Sequence, residues 1–267
     1  MDIFDIIKAC LLVGGVGLII GILLGLADKF LAVEVNEKIE KVREQLPGNN
    51  CGGCGYPGCD GLAEAIANGE ASVSGCPVGG PKVASAIAEI MGTSAEVVKK
   101  VAFVKCSGTC DKTKKLFEYV GNESCADAAL VPGNGPKSCD YGCLGIGSCK
   151  NVCEYDAIKI IDGVAVVDRD KCVACGKCVK TCPKHLIEIV PYDNEYFVAC
   201  SSPEKGKDVK AACSTGCIGC MMCARNCPTD AIAVENNIAK IDYSKCVSCG
   251  ICAEKCPSKV IKEYRTR

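Results

Sequence analysis

The first thirty residues hold the longest apolar run of the chain. Residues 9–27 are nineteen consecutive residues without a charge, about the length that crosses the hydrocarbon core of a bilayer. Acidic residues near the start and the lack of an A-x-A-like cleavage site argue against a signal peptide. Gly17, Gly21 and Gly25 recur every four residues, which is typical of membrane helices that pack closely. The pattern predicts a transmembrane anchor over residues 1–30.

Helical and alternating patterns predict the elements that follow. An amphipathic stalk helix is predicted over residues 31–48, with apolar residues at helical spacing at Val35, Ile39, Val42 and Leu46, and Pro47 and Gly48 at its end. Two further helical patterns cover residues 60–68 and 81–91. Alternating strands flank Asp162-Gly163 and Asn236-Asn237, and a β-hairpin is expected at each pair.

The composition makes an ordinary apolar core an incomplete account of this chain. Its 267 residues include 26 cysteines, no Trp and only 5% aromatic residues. Such a chain needs disulfides or metal centres for stability. The net charge of −1 gives no reason to expect nucleic acid as a partner. His185 is the only histidine, which excludes histidine-rich metal sites.

Three cysteine runs in the second half of the chain share the spacing C-x2-C-x2-C-x3-C-P. They are Cys172, Cys175, Cys178 and Cys182; Cys217, Cys220, Cys223 and Cys227; and Cys246, Cys249, Cys252 and Cys256. In bacterial ferredoxins, three cysteines of such a run hold one [4Fe–4S] cluster and the fourth holds the neighbouring cluster. Structural zinc, the alternative, favours paired C-x2-C units with a long gap.

A different cysteine group lies upstream. Cys51, Cys54, Cys59 and Cys76 occur among several glycines, which let a backbone wrap closely around an anionic cluster. Together with the two helical patterns, this group predicts a small helical [4Fe–4S] module over residues 49–92, with these four cysteines as the ligands of cluster 1.

An internal repeat of 74 residues organises the remainder of the chain. The shift places Cys153, Cys172 and Cys182 on Cys227, Cys246 and Cys256. A cluster motif, a hairpin and a second motif form a two-cluster ferredoxin domain, so that two such domains are expected, at residues 93–190 and 191–267. In the second domain, the predicted ligands are Cys217, Cys220, Cys223 and Cys256 for cluster 4, and Cys227, Cys246, Cys249 and Cys252 for cluster 5. The fold class is therefore α+β.

The first ferredoxin domain departs from the repeat at one ligand. Ile146 stands where the shift requires the equivalent of Cys220, and Cys139 is equivalent to Cys213. We interpret Cys139 as the substitute ligand; a three-cysteine [3Fe–4S] site is the alternative. The predicted ligands are Cys139, Cys143, Cys149 and Cys182 for cluster 2, and Cys153, Cys172, Cys175 and Cys178 for cluster 3.

Six cysteines remain outside these five clusters. Cys10 is a small apolar residue of the predicted anchor. The others are Cys106, Cys110, Cys125, Cys200 and Cys213. The sequence F-V-x-C-S occurs around both Cys106 and Cys200, which suggests equivalent positions. The two interpretations are buried free thiols and a sixth metal centre.

About five [4Fe–4S] clusters without a flavin, haem or nicotinamide motif predict an electron-transfer protein. The Gly133-x-Gly135 stretch lacks the third glycine of a dinucleotide site and is interpreted as a loop. The anchor, the stalk, the Cys51–Cys76 module and the tandem ferredoxin domains together resemble the B subunit of the Rnf complex, in the long version of anaerobic bacteria.

This resemblance implies one component of an ion-translocating ferredoxin:NAD⁺ oxidoreductase. The chain would accept electrons from a soluble reduced ferredoxin and pass them to other membrane and peripheral subunits, with no flavin or haem of its own. It would be a single-pass protein of the cytoplasmic membrane, with its C-terminal domains facing the cytoplasm. A general polyferredoxin of a hydrogenase or dehydrogenase complex is the alternative function.

Overall fold

The computed structural model describes residues 3–31, 36–94 and 98–264, and in the first helix the side chains of residues 4, 7 and 11–26. The α-helices are α1 (Ile3–Leu31), α2 (Glu37–Gln45), α3 (Cys59–Ala67), α4 (Gly80–Met91), α5 (Cys125–Ala129), α6 (Ser148–Asn151), α7 (Lys177–Thr181), α8 (Gly206–Ala212), α9 (Met222–Arg225) and α10 (Ile251–Lys255). The strands are β1 (Lys100–Val104), β2 (Ile158–Ile161), β3 (Val164–Val167), β4 (Ile187–Pro191), β5 (Tyr196–Val198), β6 (Ile232–Glu235), β7 (Ile238–Ile241) and β8 (Ile261–Glu263).

Helix α1 contains the whole uncharged run of residues 9–27. Its large apolar side chains are exposed wherever they are described, for example Leu11 and Val13. Over the described part of the chain, no helix combines the length and apolarity needed to cross a membrane. The transmembrane anchor stays a prediction.

Helices α2, α3 and α4 pack into one helical module. Val42 of α2, Leu62 of α3 and Ile87 of α4 are almost completely buried in a shared core. The helical patterns predicted at residues 60–68 and 81–91 are confirmed as α3 and α4. Of the predicted stalk, residues 32–35 lie outside the described residues, and α2 is the third helix of the module because its apolar face is covered by α3 and α4.

Two units with the same strand pairing follow the module. In the first unit β1 pairs with β4 and β2 with β3; in the second β5 pairs with β8 and β6 with β7, all antiparallel. Both predicted hairpins are confirmed, and their two-residue turns have φ of 47° and 76° at Asp162 and Gly163, and 48° and 61° at Asn236 and Asn237. Positive φ at both positions is the signature of a type I′ turn. The α+β class is confirmed for these units.

Aromatic residues join the two units. The Phe103 and Phe197 rings stack at a centroid distance of 4.8 Å, and Phe197 is completely buried. Tyr264 follows β8 of the second unit. Its hydroxyl donates a hydrogen bond to the Ala102 carbonyl oxygen of the first unit at 2.9 Å. The end of the second unit therefore pairs with β5 of the same unit and also packs against the first unit.

Candidate iron–sulfur centres

Four predicted ligands of the second unit surround one cavity. Cys217, Cys220, Cys223 and Cys256 line a space of about 20 Å³ whose other walls are largely apolar. Positive φ at Gly219 and Met221 turns the loop that carries the first three cysteines. Burial, reinforced by the neighbouring thiols, raises the pKa of Cys223 to about 11. The structure thus brings the cluster 4 set together.

The second predicted set of this unit, Cys227, Cys246, Cys249 and Cys252, also converges. Burial raises the pKa of Cys252 to about 11, and the other three thiols of the set add to that rise. Burial alone would raise the pKa of Cys227 as well, but hydrogen bonds from Thr229 and Ala231 lower it. The Ala231 amide donates to Cys227 Sγ at 3.3 Å. This is the cluster 5 set.

The cluster 3 set has the same arrangement in the first unit. Cys153, Cys172, Cys175 and Cys178 line a cavity of about 20 Å³. Cys172 Sγ accepts hydrogen bonds from the Ala102 amide at 3.3 Å and the Ala174 amide at 3.4 Å. Burial raises the pKa of Cys178 to about 12, with added contributions from the other three thiols.

The structure places a different fourth cysteine with Cys143, Cys149 and Cys182. These three line a cavity of about 20 Å³ together with Cys125, the first residue of α5. Burial and then the thiols of Cys143, Cys125 and Cys182 raise the pKa of Cys149 to about 12. Cys139, the predicted substitute ligand, does not line this cavity.

Cys139 lies in another cavity, with cysteines that no ferredoxin run contains. Cys106, Cys139, Cys200 and Cys213 line a space of about 20 Å³ between the two units. Burial raises the pKa of Cys106 and of Cys139 to about 11 each. The ferredoxin spacing assigns no role to Cys213, and the F-V-x-C-S pair is the one sequence signal for Cys106 and Cys200.

The module's own cysteines lie at its core and its surface loop. Cys59 is buried, and Cys54 and Cys76 pack against the same core. Burial raises the pKa of Cys76, with smaller contributions from Cys59 and Cys54, and its Sγ accepts from the Gly79 amide at 3.3 Å. Thiols of this set therefore lie near one another, as the cluster 1 prediction requires.

The module loop contacts the first ferredoxin-like unit. A Cβ added to Gly53 would lie 2.8 Å from the Cys175 carbonyl oxygen, so only glycine permits this approach. Tyr155 is close enough to both Cys51 and Cys175 for each thiol to influence its pKa, which burial raises. The cluster 1 and cluster 3 sets are therefore neighbours.

These sets fit iron–sulfur chemistry by their donor atoms and surroundings. Each set is made only of thiols, and most of these thiols line an apolar cavity. Several of the sulfur atoms accept hydrogen bonds from backbone amides, as anionic clusters require. Within residues 3–31, 36–94 and 98–264, no group of three or more His, Cys, Asp or Glu side chains is arranged to hold a single metal ion.

Three segments of the chain match families of iron–sulfur domains. The Fe–S cluster family matches residues 46–78, the 4Fe-4S binding domain residues 164–187, and the 4Fe-4S dicluster domain residues 216–260. The matched segments are the module and parts of both ferredoxin-like units. The chain thus contains domains of the [4Fe–4S] ferredoxin class.

Curated relatives match most of the chain. It is 50% identical over 236 residues to the B subunit of the Na⁺-translocating ferredoxin:NAD⁺ oxidoreductase complex of Acetobacterium woodii, which covers 88% of this chain and 71% of that protein. It is 40% identical over 242 residues to the B subunit of the ion-translocating oxidoreductase complex of Methanosarcina acetivorans, covering 90% and 91%. The B subunit of the proton-translocating ferredoxin:NAD⁺ oxidoreductase complex of Clostridium ljungdahlii is 42% identical over 232 residues, covering 86% and 81%. The chain belongs to the family of B subunits of ion-translocating oxidoreductase (Rnf) complexes.

Proposed function

We propose that this chain is the electron-transfer subunit of an Rnf-type complex, accepting electrons from a soluble reduced ferredoxin and relaying them to redox subunits in the membrane. The observation that carries the proposal is the convergence of four-thiol sets in a chain that is related along most of its length to the Rnf B subunits. With the other subunits, the complex is an ion-translocating ferredoxin:NAD⁺ oxidoreductase, and this chain holds neither flavin nor haem.

Five sets of cysteines hold the clusters in this proposal. They are Cys51, Cys54, Cys59 and Cys76; Cys125, Cys143, Cys149 and Cys182; Cys153, Cys172, Cys175 and Cys178; Cys217, Cys220, Cys223 and Cys256; and Cys227, Cys246, Cys249 and Cys252. Bound there, [4Fe–4S] clusters supply one-electron transfer. Cys125 takes the place that the repeat pattern assigns to Cys139.

The backbone around the cysteines contributes to the relay. Amide donors on Cys172 and Cys227 stabilise negative charge on sulfur and therefore favour the reduced state of a bound centre. The close approach of Gly53 to Cys175 makes the module and the first ferredoxin-like unit direct neighbours. The set around Cys175 therefore offers a direct route for electrons between the module and the first ferredoxin-like unit.

Helix α1 is the membrane anchor in this proposal, and the ferredoxin-like units face the cytoplasm. The uncharged run of residues 9–27 and the exposed apolar side chains of α1 support the anchor. The cytoplasmic side is supported by the cluster-type cysteine runs, because labile thiolate ligands fit a reducing compartment. Protease added outside sealed cells should leave residues beyond 36 intact, whereas permeabilised cells should lose them. Cleavage from outside would contradict this orientation.

The direct test of the proposed function is anaerobic purification of the full chain in detergent. Iron and acid-labile sulfide should be present at a ratio near one, and reduced ferredoxin should bleach the visible absorbance. Oxidised ferredoxin is the matched control. A chain without iron, or iron that accepts no electrons from reduced ferredoxin, would overturn the proposal.

A further inference from the structure

The cavity between the two ferredoxin-like units has the features of a sixth centre. Its volume of about 20 Å³ equals that of the cavities lined by the ferredoxin-type sets. We propose that Cys106, Cys139, Cys200 and Cys213 hold a further [4Fe–4S] cluster, with two thiolates from each unit. All four cysteines are at least partly buried and none is in a disulfide.

A buried hydroxyl at the same cavity lacks a partner. Thr113 is 5% exposed, and its Oγ1 has no hydrogen-bond partner within the described structure. Burying a hydroxyl without a hydrogen bond is energetically unfavourable. Thr113 lines the cavity, so a sulfur atom of a bound cluster would supply the missing acceptor.

Gly108 keeps this space open. A Cβ at position 108 would lie 2.7 Å from Thr113 Oγ1 and 3.6 Å from the sulfurs of both Cys106 and Cys213. Two cysteines distant in sequence therefore point toward the same small volume, and a methyl group there would already crowd the hydroxyl. The sequence leaves that volume free of side-chain atoms.

The two units contribute to the site in equivalent ways. Ser107 Oγ, after the first cysteine, donates to the Ala199 carbonyl at 3.2 Å, and Ser201 Oγ donates to the Lys105 carbonyl at 3.1 Å. Each serine thus bonds to the residue that precedes the other unit's cysteine. The 74-residue repeat makes Cys139 and Cys213 equivalent, whereas Cys106 and Cys200 are related by the F-V-x-C-S sequence that they share. The serine contacts are therefore reciprocal between the two units.

The proposed centre adjoins one cluster set in each unit. Cys106 Sγ accepts a hydrogen bond from the Cys143 amide at 3.3 Å, and Cys200 Sγ accepts one from the Cys217 amide. Cys143 and Cys217 are proposed ligands of the clusters on either side. A cluster held there would accept one electron from the cluster on one side and pass one electron to the cluster on the other, with no proton transferred and no bond formed or broken. This relay role rests on the proposed function, whereas occupancy of the site does not.

Iron counting on the full chain, purified anaerobically, tests occupancy. Six clusters correspond to about 24 irons per chain and five to about 20. We expect Cys200→Ser and Cys213→Ser each to lose about one to four irons, since a lost ligand leaves a three-iron or an empty site. The exposed thiol of Cys110 lies outside the cavity, so Cys110→Ser is the matched control and should lose none.

A double variant separates one shared site from two independent ones. Cys106→Ser combined with Cys200→Ser should lose no more than about four irons in total, because both residues serve one cluster. Full iron content in Cys200→Ser and Cys213→Ser, or zinc bound at this site, would overturn the proposal while leaving the five-cluster relay intact. A wild-type chain without any iron would overturn the proposed function as well.

A milder variant avoids loss of folding. Thr113→Val keeps the shape but removes the hydroxyl donor, so that all iron should remain while the reduction potential of one centre falls. A potentiometric titration followed by electron paramagnetic resonance measures this shift, and Thr109→Val, whose hydroxyl bonds to Asp111, is the control. Unchanged potentials in Thr113→Val would place its hydroxyl away from any centre and contradict the site.

Discussion

Cys125 occupies the position that the repeat leaves open in the first ferredoxin-like unit. The Ser124 side chain caps α5 by accepting the Asp127 amide, and the Cys125 amide donates to Ser148 Oγ at 2.8 Å. The first bond stabilises the start of α5, and the second fixes it against α6, which carries Cys149. A short capped helix therefore supplies the thiol that Ile146 cannot.

We expect Cys125→Ser to lose about one to four irons, because serine is a poor substitute for a thiolate ligand. Adding Cys149→Ser should cause no loss beyond about four irons in total, since both residues serve one cluster. Iron and sulfide analysis of the purified variants measures this, with Cys110→Ser as the control. Full iron content in Cys125→Ser would return Cys139 to consideration as the fourth ligand.

The grouping of the cysteines within each ferredoxin run could be predicted because their spacing is local. Cys217, Cys220 and Cys223 occupy a single turn of chain, which leaves few alternative arrangements. Cys125 could not be found in this way, since the 74-residue shift places it on Ala199 and the second unit offers no counterpart. The position of Cys125 beside Cys143 depends on how a long insertion folds, and residue spacing does not determine that fold.

At the scale of elements, α2 has a different role from the one its sequence suggests in isolation. An amphipathic helix between an apolar segment and a globular region fits a stalk, and the pattern alone does not say what covers its apolar face. The structure shows Val42 completely buried against α3 and α4. The helix therefore stabilises the module that carries Cys59 and Cys76.

Val42→Ala should destabilise the module by about 2 kcal/mol, because it removes buried methyl groups and leaves a cavity. Loss of iron from one cluster on heating should accordingly begin at a lower temperature, which absorbance and iron analysis can follow. Glu44→Ala, on the exposed side of α2, is the matched control. Equal heat sensitivity of the two variants would mean that α2 is a free stalk after all.

The hairpins show why some elements were predictable in full. Each turn, Asp162-Gly163 or Asn236-Asn237, consists of residues that tolerate positive φ and is flanked by the predicted strands. Both turns form at the predicted positions. The pairing of β1 with β4 and of β5 with β8 joins residues far apart in the chain. No turn sequence connects these strands directly, so the pairing could not be predicted in the same way.

At the scale of the whole molecule, ion pairs neutralise part of the positive charge that the composition of the C-terminal region suggests. Residues 171–267 contain 15 Lys and Arg against 10 Asp and Glu. Three lysines beside cluster motifs form ion pairs, namely Lys177 with Glu154, Lys245 with Asp242, and Lys255 with Glu254. Lys180 and Lys259 are exposed and form no ion pair within the described part of the chain, so we expect these two lysines to attract an acidic ferredoxin.

Electron transfer from reduced ferredoxin should slow by about tenfold as ionic strength rises from about 0.05 to about 0.5 M, because salt screens the attraction that speeds encounter. Stopped-flow absorbance measures the rate. Lys180→Glu and Lys259→Glu should lower the rate at low salt, whereas Lys38→Glu on the exposed side of α2 should not. A rate that is independent of salt would exclude electrostatic docking at these lysines.

The reciprocal serine contacts between the two ferredoxin-like units have a consequence for how such a protein can be assembled. Ser107 and Ser201 form an interface of the kind found in closed dimers, where each partner offers the same surface to the other. A single unit with its own two cysteines would hold only half of the shared cavity. Joining two copies in one polypeptide makes their meeting intramolecular, so that completion of the cavity no longer depends on protein concentration.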